Sequence, residues 1–182
     1  ATSAAGKTAQ YKLTVKTPSV KMNASAKTLY VKGSPATVTL KATTAGVTGK
    51  VTYTSSKPSV AAVAANGKVT AKAAGTAVIT AKCGNYKATC KITVKKPAVK
   101  ASASAKTVFV GGTSQIKVEK TGVSGKVTYT SSNKSVAVVS AGGKVTAKKA
   151  GTATITVKCG SYKATCRITA VSYTHLRAHE TS

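Results

Sequence analysis

The chain has 182 residues and a formal net charge of +27, from 29 Lys and Arg against 2 Asp and Glu, with 2 His. Both histidines (His175, His179) and Glu180 fall near the C-terminus, so residues 1–170 hold no His, no Asp and one carboxylate, Glu119. This inventory excludes paired-carboxylate hydrolysis, His-based acid–base catalysis, carboxylate-held calcium or magnesium and His-ligated zinc in that stretch. No apolar run approaches the roughly 18–20 residues of a membrane span, and no segment reads as a secretory signal.

Val, Ile, Leu and Phe together number only 33, a level that with high net charge belongs to disordered chains. Ala (31) and Thr (30) make up the difference, and pattern decides for a thin, Ala-rich core. In chain order, KTAQYKLTVKTP (7–18) lies over KATCKITVKKP (87–97), matching Leu13 to Ile92, Val15 to Val94 and Pro18 to Pro97. Residues 1–17 therefore read as the trailing strand of a preceding repeat, in a piece of a longer array. AKTLYVKG (26–33) then matches AKTVFVGG (105–112) at an offset of 79. Residues 46–94 lie over 122–170 at an offset of 76 with 37 of 49 positions identical, so the second copy lacks three residues in between. A repeat of this length suits a small independent domain rather than a solenoid unit. The spacing predicts one domain over 18–95 and another over 96–171, joined through short Pro-containing linkers that resist sheet pairing and stiffen the joint.

Within each copy, apolar residues alternate with a period of two. Ala77, Ile79, Ala81 and Cys83 share one face of a strand, with Thr76, Val78, Thr80 and Lys82 on the other. Ala88, Cys90, Ile92 and Val94 form the core face of the next, and Ala153, Ile155, Val157, Cys159, Ala164, Cys166 and Ile168 repeat the pattern. Asn66-Gly67, replaced by Gly142-Gly143, predicts a type I′ hairpin. No stretch carries the apolar stripe of a helix, and short strands between regular turn signals predict an all-β antiparallel sandwich. The final residues, VSYTHLRAHETS, break the repeat and resemble a translated sequencing adaptor, so 172–182 reads as a foreign or artefactual tail.

The string VTYTSS..SVA.V...GKVTA..AGTA.IT...G...AT..ITV, present twice, resembles the bacterial immunoglobulin-like domain, group 2, with Tyr53 and Tyr129 at a position where many members carry Trp. The resemblance covers two copies over 18–170 and the strand at 7–17. It implies two tandem Ig-like antiparallel β-sandwich domains in a secreted or cell-surface bacterial protein, with no catalytic residues and no cofactor to carry over.

Each copy holds two cysteines in a CG(N/S)YKATC frame. A register that sets Cys83 opposite Cys90 also pairs Ala81 with Ile92 and Ile79 with Val94, all on the core face, and the second copy offers Cys159 and Cys166 likewise. That geometry suits a hairpin disulfide, with buried free thiols as the alternative. Zinc is disfavoured because each repeat offers two ligands where the metal wants four.

Positive charge is spread evenly, +12 over 18–95 and +12 over 96–171. Lys50, Lys68, Lys72, Lys82, Lys87 and Lys91, with their counterparts Lys126, Lys144, Lys148, Lys158, Lys163 and Arg167, occupy outward strand positions or turns. They are candidate contacts for an anionic cell-wall polymer or acidic glycan, or else a solvated, edge-protecting face. Specific nucleic-acid recognition is disfavoured, because Lys outnumbers Arg 27 to 2 and base readout favours the planar guanidinium. An intramolecular Lys–Asn bond needs a buried acid that the first copy lacks, and the TSS motif is better read as a turn than as a Ser–Lys dyad. The expectation is a non-catalytic spacer whose partners are neighbouring repeats, with adhesion to anionic polymers through the lysines as the alternative.

Overall fold

A computed structural model of the chain describes residues 12–173. Residues 1–11 and the stretch 174–182, with most of the expected tail and both histidines, lie outside the described residues. The described chain is all β, with no α-helix, arranged as two sandwiches of the same plan.

In the first, one sheet takes the order β2 (Ala26–Tyr30), β9 (Tyr86–Lys95), β8 (Gly75–Cys83), β5 (Thr52–Ser55). Facing it are β3 (Thr37–Thr39), β7 (Lys68–Ala71) and β6 (Ala61–Val63), extended by β1 (Ser19–Met22) paired with β4 (Ala42–Ala45). β3 and β4 flank Leu40, which is fully buried and whose N–H donates to the Gly67 carbonyl at 2.9 Å. The second sandwich pairs β11 (Thr107–Phe109), β17 (Tyr162–Val171), β16 (Gly151–Cys159) and β13 (Val127–Ser131). Its other sheet holds β10 (Ala98–Ala103), β12 (Thr113–Thr121), β15 (Lys144–Ala147) and β14 (Ala137–Val139). In both copies the chain enters along one sheet and crosses to the other, where β2 and β11 run parallel to the last strand (Leu29 opposite Val94, Val108 opposite Ala170). This is the strand order of an Ig-type sandwich.

The period-two pattern places the core. Ala77, Ile79, Ala81, Cys83, Cys90, Ile92 and Val94 are all buried, as are Ala153, Ile155, Val157, Cys159, Cys166 and Ile168. On the core face Tyr53 of β5 stands opposite the small Ala81 of β8, and Tyr129 of β13 opposite Val157 of β16. Tyr53 is half-buried, packs against both clusters of the first core, and its hydroxyl accepts the Ala42 N–H at 2.9 Å. Each sandwich thus encloses its own apolar core.

Two turns differ from expectation. The Asn66-Gly67 loop is not type I′: the turn is closed by Gly67 N–H to Ala64 C=O at 2.9 Å, and Gly67 alone takes a positive φ, 80°. Ala64 and Lys68 flank a three-residue loop, a type I turn followed by a left-handed glycine. A Cβ on Gly67 would strike the Leu40 carbonyl, so close approach as well as φ requires glycine. Gly142-Gly143 forms the same loop in the second copy, closed by Gly143 N–H to Ser140 C=O at 3.0 Å.

The second correction concerns β8 and β9. They are joined by the two-residue turn Gly84-Asn85, with Gly84 at φ 55°, so Cys83 pairs with Tyr86 and Cys90 with Ile79. The expected register, Cys83 opposite Cys90, is displaced from the real one by four residues. In the second copy Cys159 pairs with Tyr162 and Cys166 with Ile155.

Candidate functional site

The four cysteines are buried free thiols, and the disulfides Cys83–Cys90 and Cys159–Cys166 expected from the sequence do not form in this register. Cys83 sits in a core cluster with Val20 and Ala81, whereas Cys90 belongs to the cluster of Leu29 and Ile79. The Cys83 thiol donates to the Gly49 carbonyl at 3.4 Å, and Cys159 to the Gly125 carbonyl at the same distance. Burial pushes the Cys90 thiol pKa up, while the Lys27 charge partly opposes the shift. Among the described residues no group of three or more His, Cys, Asp or Glu is placed to hold a metal ion.

All twelve cationic candidates are exposed, but the fold does not bring them to one place. Lys82, Lys87 and Lys91 stand on the outer face of the β8–β9 ladder, with Lys158, Lys163 and Arg167 in the same places on β16–β17. Lys82 lies directly opposite Lys87, and Lys158 opposite Lys163. Lys68 and Lys72 lie along the other sheet, where with Ala62, Ala64 and Thr70 they line a shallow open groove. Lys144 begins β15 and Lys148 follows it, while Lys50 and Lys126 precede β5 and β13.

The most specific constellation joins the two sandwiches, and the sequence did not single it out. The turn after β2, Tyr30 to Gly33, is closed by Gly33 N–H to Tyr30 C=O at 3.2 Å and meets the turn after β12 at Gly122. Ser34 N–H donates to the Gly122 carbonyl at 3.0 Å. A Cβ on Gly122 (φ 62°) would enter the Tyr30 ring, and one on Gly33 would strike the Pro97 ring. Two glycines and a linker proline therefore let the sandwich ends touch backbone to ring. Beside this contact a cleft of about 200 Å³ is lined by Lys32, Ser34, Val123, Ser161 and Tyr162, among others. It is open and holds no cluster of titratable groups.

Two Ig-type sandwiches in series, with cores of their own and a tight joint, define a tandem Ig-like repeat protein. A family model described as bacterial Ig-like domain matches residues 49–96, and one described as bacterial Ig-like domain (group 2) matches 92–168. The chain belongs to the bacterial Ig-like domain family. Among solved structures it is similar to the S-layer protein rSbsC(31-844), with 25% identity, a TM-score of 0.51 and coverage of 84% of this chain and 27% of that one. Domains 1–6 of the surface layer protein SbsC match with the same figures. SbsC domains 4 and 5 match at 26% identity and a TM-score of 0.50, over 84% of this chain and 97% of that one. The chain spans about a quarter of the length of the first two. No curated protein matches the sequence. No helix of the described residues is long and apolar enough to cross a membrane.

Proposed function

We propose that these repeats are non-catalytic spacers of a secreted or cell-surface bacterial protein, holding other modules at a set distance and direction. Membership in the bacterial Ig-like family and likeness to S-layer domains support a surface setting. The observation that carries the spacer reading is the joint, where the Tyr30 ring lies on Gly122 and the Ser34–Gly122 hydrogen bond pins the turn. A linker free to swing needs neither contact. In this reading 18–95 and 96–171 are separate folding units and 172–182 is foreign to them. Residues 1–17 close a further repeat, which fits the exposure of Leu13 (87%) and Val15 (85%), whose counterparts Ile92 and Val94 are core residues. Small-angle scattering tests the spacer: two aligned sandwiches give a rod-like distance distribution, and a broad, salt-dependent one refutes it.

A second reading, adhesion to anionic envelope polymers or glycans, is favoured by the facing lysine pairs. Like charges directly opposite one another on a sheet are destabilising, yet both copies carry the pair beside the same hairpin. Saturable binding of the chain to purified cell envelopes that fades as salt rises supports adhesion. No saturable binding at low salt leaves the spacer alone.

A further inference from the structure

The aromatic turn and the glycine that meet at the joint each have a counterpart at an outer pole of the two sandwiches. At the far end of the second sandwich, Phe109, Val110, Gly111 and Gly112 occupy the places of Tyr30, Val31, Lys32 and Gly33. Two of the turn's hydrogen bonds recur, although Gly111 N–H donates to Ala147 C=O at 2.9 Å here whereas in the first copy Tyr30 N–H donates to Pro35 C=O at 2.8 Å. Gly112 N–H donates to Phe109 C=O at 2.8 Å, as Gly33 does to Tyr30. Val110 N–H donates to Val171 C=O at 2.9 Å, as Val31 does to Lys95 at 3.0 Å. Gly111 has a positive φ of 87°, as Lys32 has one of 51°. The surroundings differ. Tyr30 and Val31 are partly covered, whereas Phe109 (42%) and Val110 (43%) are exposed, and Phe109 touches Tyr173, which stands where Pro97 stands in the first copy.

At the near end of the first sandwich, Gly46 (φ 60°) occupies the place of Gly122 (φ 62°). Among the described residues, the three nearest atoms to a Cβ there all belong to Pro18, at 3.6–3.7 Å, and none is from an aromatic ring. Pro18 is the counterpart of Pro97. The two sandwiches thus carry an aromatic turn at one pole and a glycine notch at the other, and the joint between them shows how such a pair fits.

We propose that the Phe109 turn is a docking surface for the glycine-notch end of a further Ig-like repeat of this kind, one that presents the equivalents of Gly46 and Pro18. The occupant follows from continuity with the internal joint, since the same turn one repeat earlier is covered by that surface. The Ser34 hydrogen bond has no counterpart, because Ser34–Ala36 are the three residues missing from the second copy, so ring-on-glycine packing carries this joint. The interface is heterologous, each copy offering different surfaces at its two ends, so the same contact can recur from one repeat to the next. This inference rests on the spacer reading and adds to it the surface by which the series continues.

The test joins two copies in series, Val171 of the first directly to Thr17 of the second, which reproduces the Lys95–Lys96 step. Each sandwich keeps its own core, so the parts remain folded. Small-angle scattering is expected to show a four-sandwich rod. Phe109→Asp in the first copy is expected to abolish the longest distances, and Gly46→Asn in the second, which keeps a left-handed turn but fills the notch, to do the same. Superimposable profiles for the parent and both variants overturn the proposal. Tyr30→Ala in the single chain separates the two claims. If it leaves the two-sandwich profile unchanged, the rigid-spacer reading falls; if it loosens that joint while the Phe109 and Gly46 variants do nothing, only the proposal falls.

Discussion

The ring of Tyr30 lies against the backbone of Gly122, an aromatic residue of one sandwich on a glycine of the next. Glycine is required there twice over, once by a φ of 62° and once by the ring. Asn tolerates the left-handed region better than other side chains, so Gly122→Asn tests close approach more than backbone strain. Both sandwiches are expected to keep their stability within about 0.5 kcal/mol, as for surface changes, while the joint opens. Scattering from the variant should show a broader distance distribution, and Gly46→Asn in the same chain should show none of it.

The separate cores make a second prediction. Ile79 and Ile155 are both fully buried, each at the centre of its own sandwich. Truncation to Ala removes a buried side chain and leaves a cavity, at a cost of about 2–5 kcal/mol. Ile79→Ala is expected to raise amide hydrogen exchange throughout β8 and β9 while β16 and β17 keep their protection. Ile155→Ala should do the reverse. Spreading of either effect across the joint would mean that the sandwiches unfold as one unit.

The thiols give a pH dependence with a definite sign. Burial raises the Cys90 pKa above its ordinary 9.0. Below that value the thiol is protonated in both folded and unfolded chains, and the stabilisation is fully present. As pH rises further, the unfolded chain loses its proton first, so stability falls until the folded-state pKa is passed. Urea unfolding between about pH 8 and 10.5 should show a decline that is shallower in Cys90→Ala, which itself costs about 1 kcal/mol for the lost sulfur. In the native state all four thiols should resist alkylation, and all four should react in denaturant without prior reduction.

What the sequence made legible, and what it hid, follows from parity. A slip of one residue turns a strand's core face to solvent, so alternation alone identifies Ile79, Cys90 and Ile92 as core. A slip of four leaves every face unchanged, so the register with Cys83 opposite Cys90 satisfies the same alternation as the real one. The turn decides between them: Gly84-Asn85 makes a two-residue hairpin, with glycine at the first central position as a type II′ turn requires. The short dipeptide outranks the attraction of two cysteines in one frame. The joint was hidden for a different reason. Gly122 and Gly33 owe their importance to Tyr30 and Pro97, and nothing in a local pattern states which distant ring will lie on which glycine. The cationic residues were legible as exposed, yet their division among faces depends on the sandwich as a whole.

Those faces carry the last prediction. Lys82 opposite Lys87 and Lys158 opposite Lys163 are like-charge pairs on exposed ladders. Replacing Lys82 and Lys158 by Glu turns each repulsion into an attraction, worth about 0.2–1 kcal/mol per pair relative to a neutral pair. The double variant is therefore expected to unfold at higher urea than the parent in low salt, with the gain shrinking at about 1 M salt, where the screening length falls to about 3 Å. Its binding to purified envelopes separates the two functional readings. A spacer gains stability and loses nothing, whereas an adhesive face loses affinity as it gains stability. Higher stability together with weaker, salt-sensitive binding would show that the facing lysines are held at a cost for the polymer they meet.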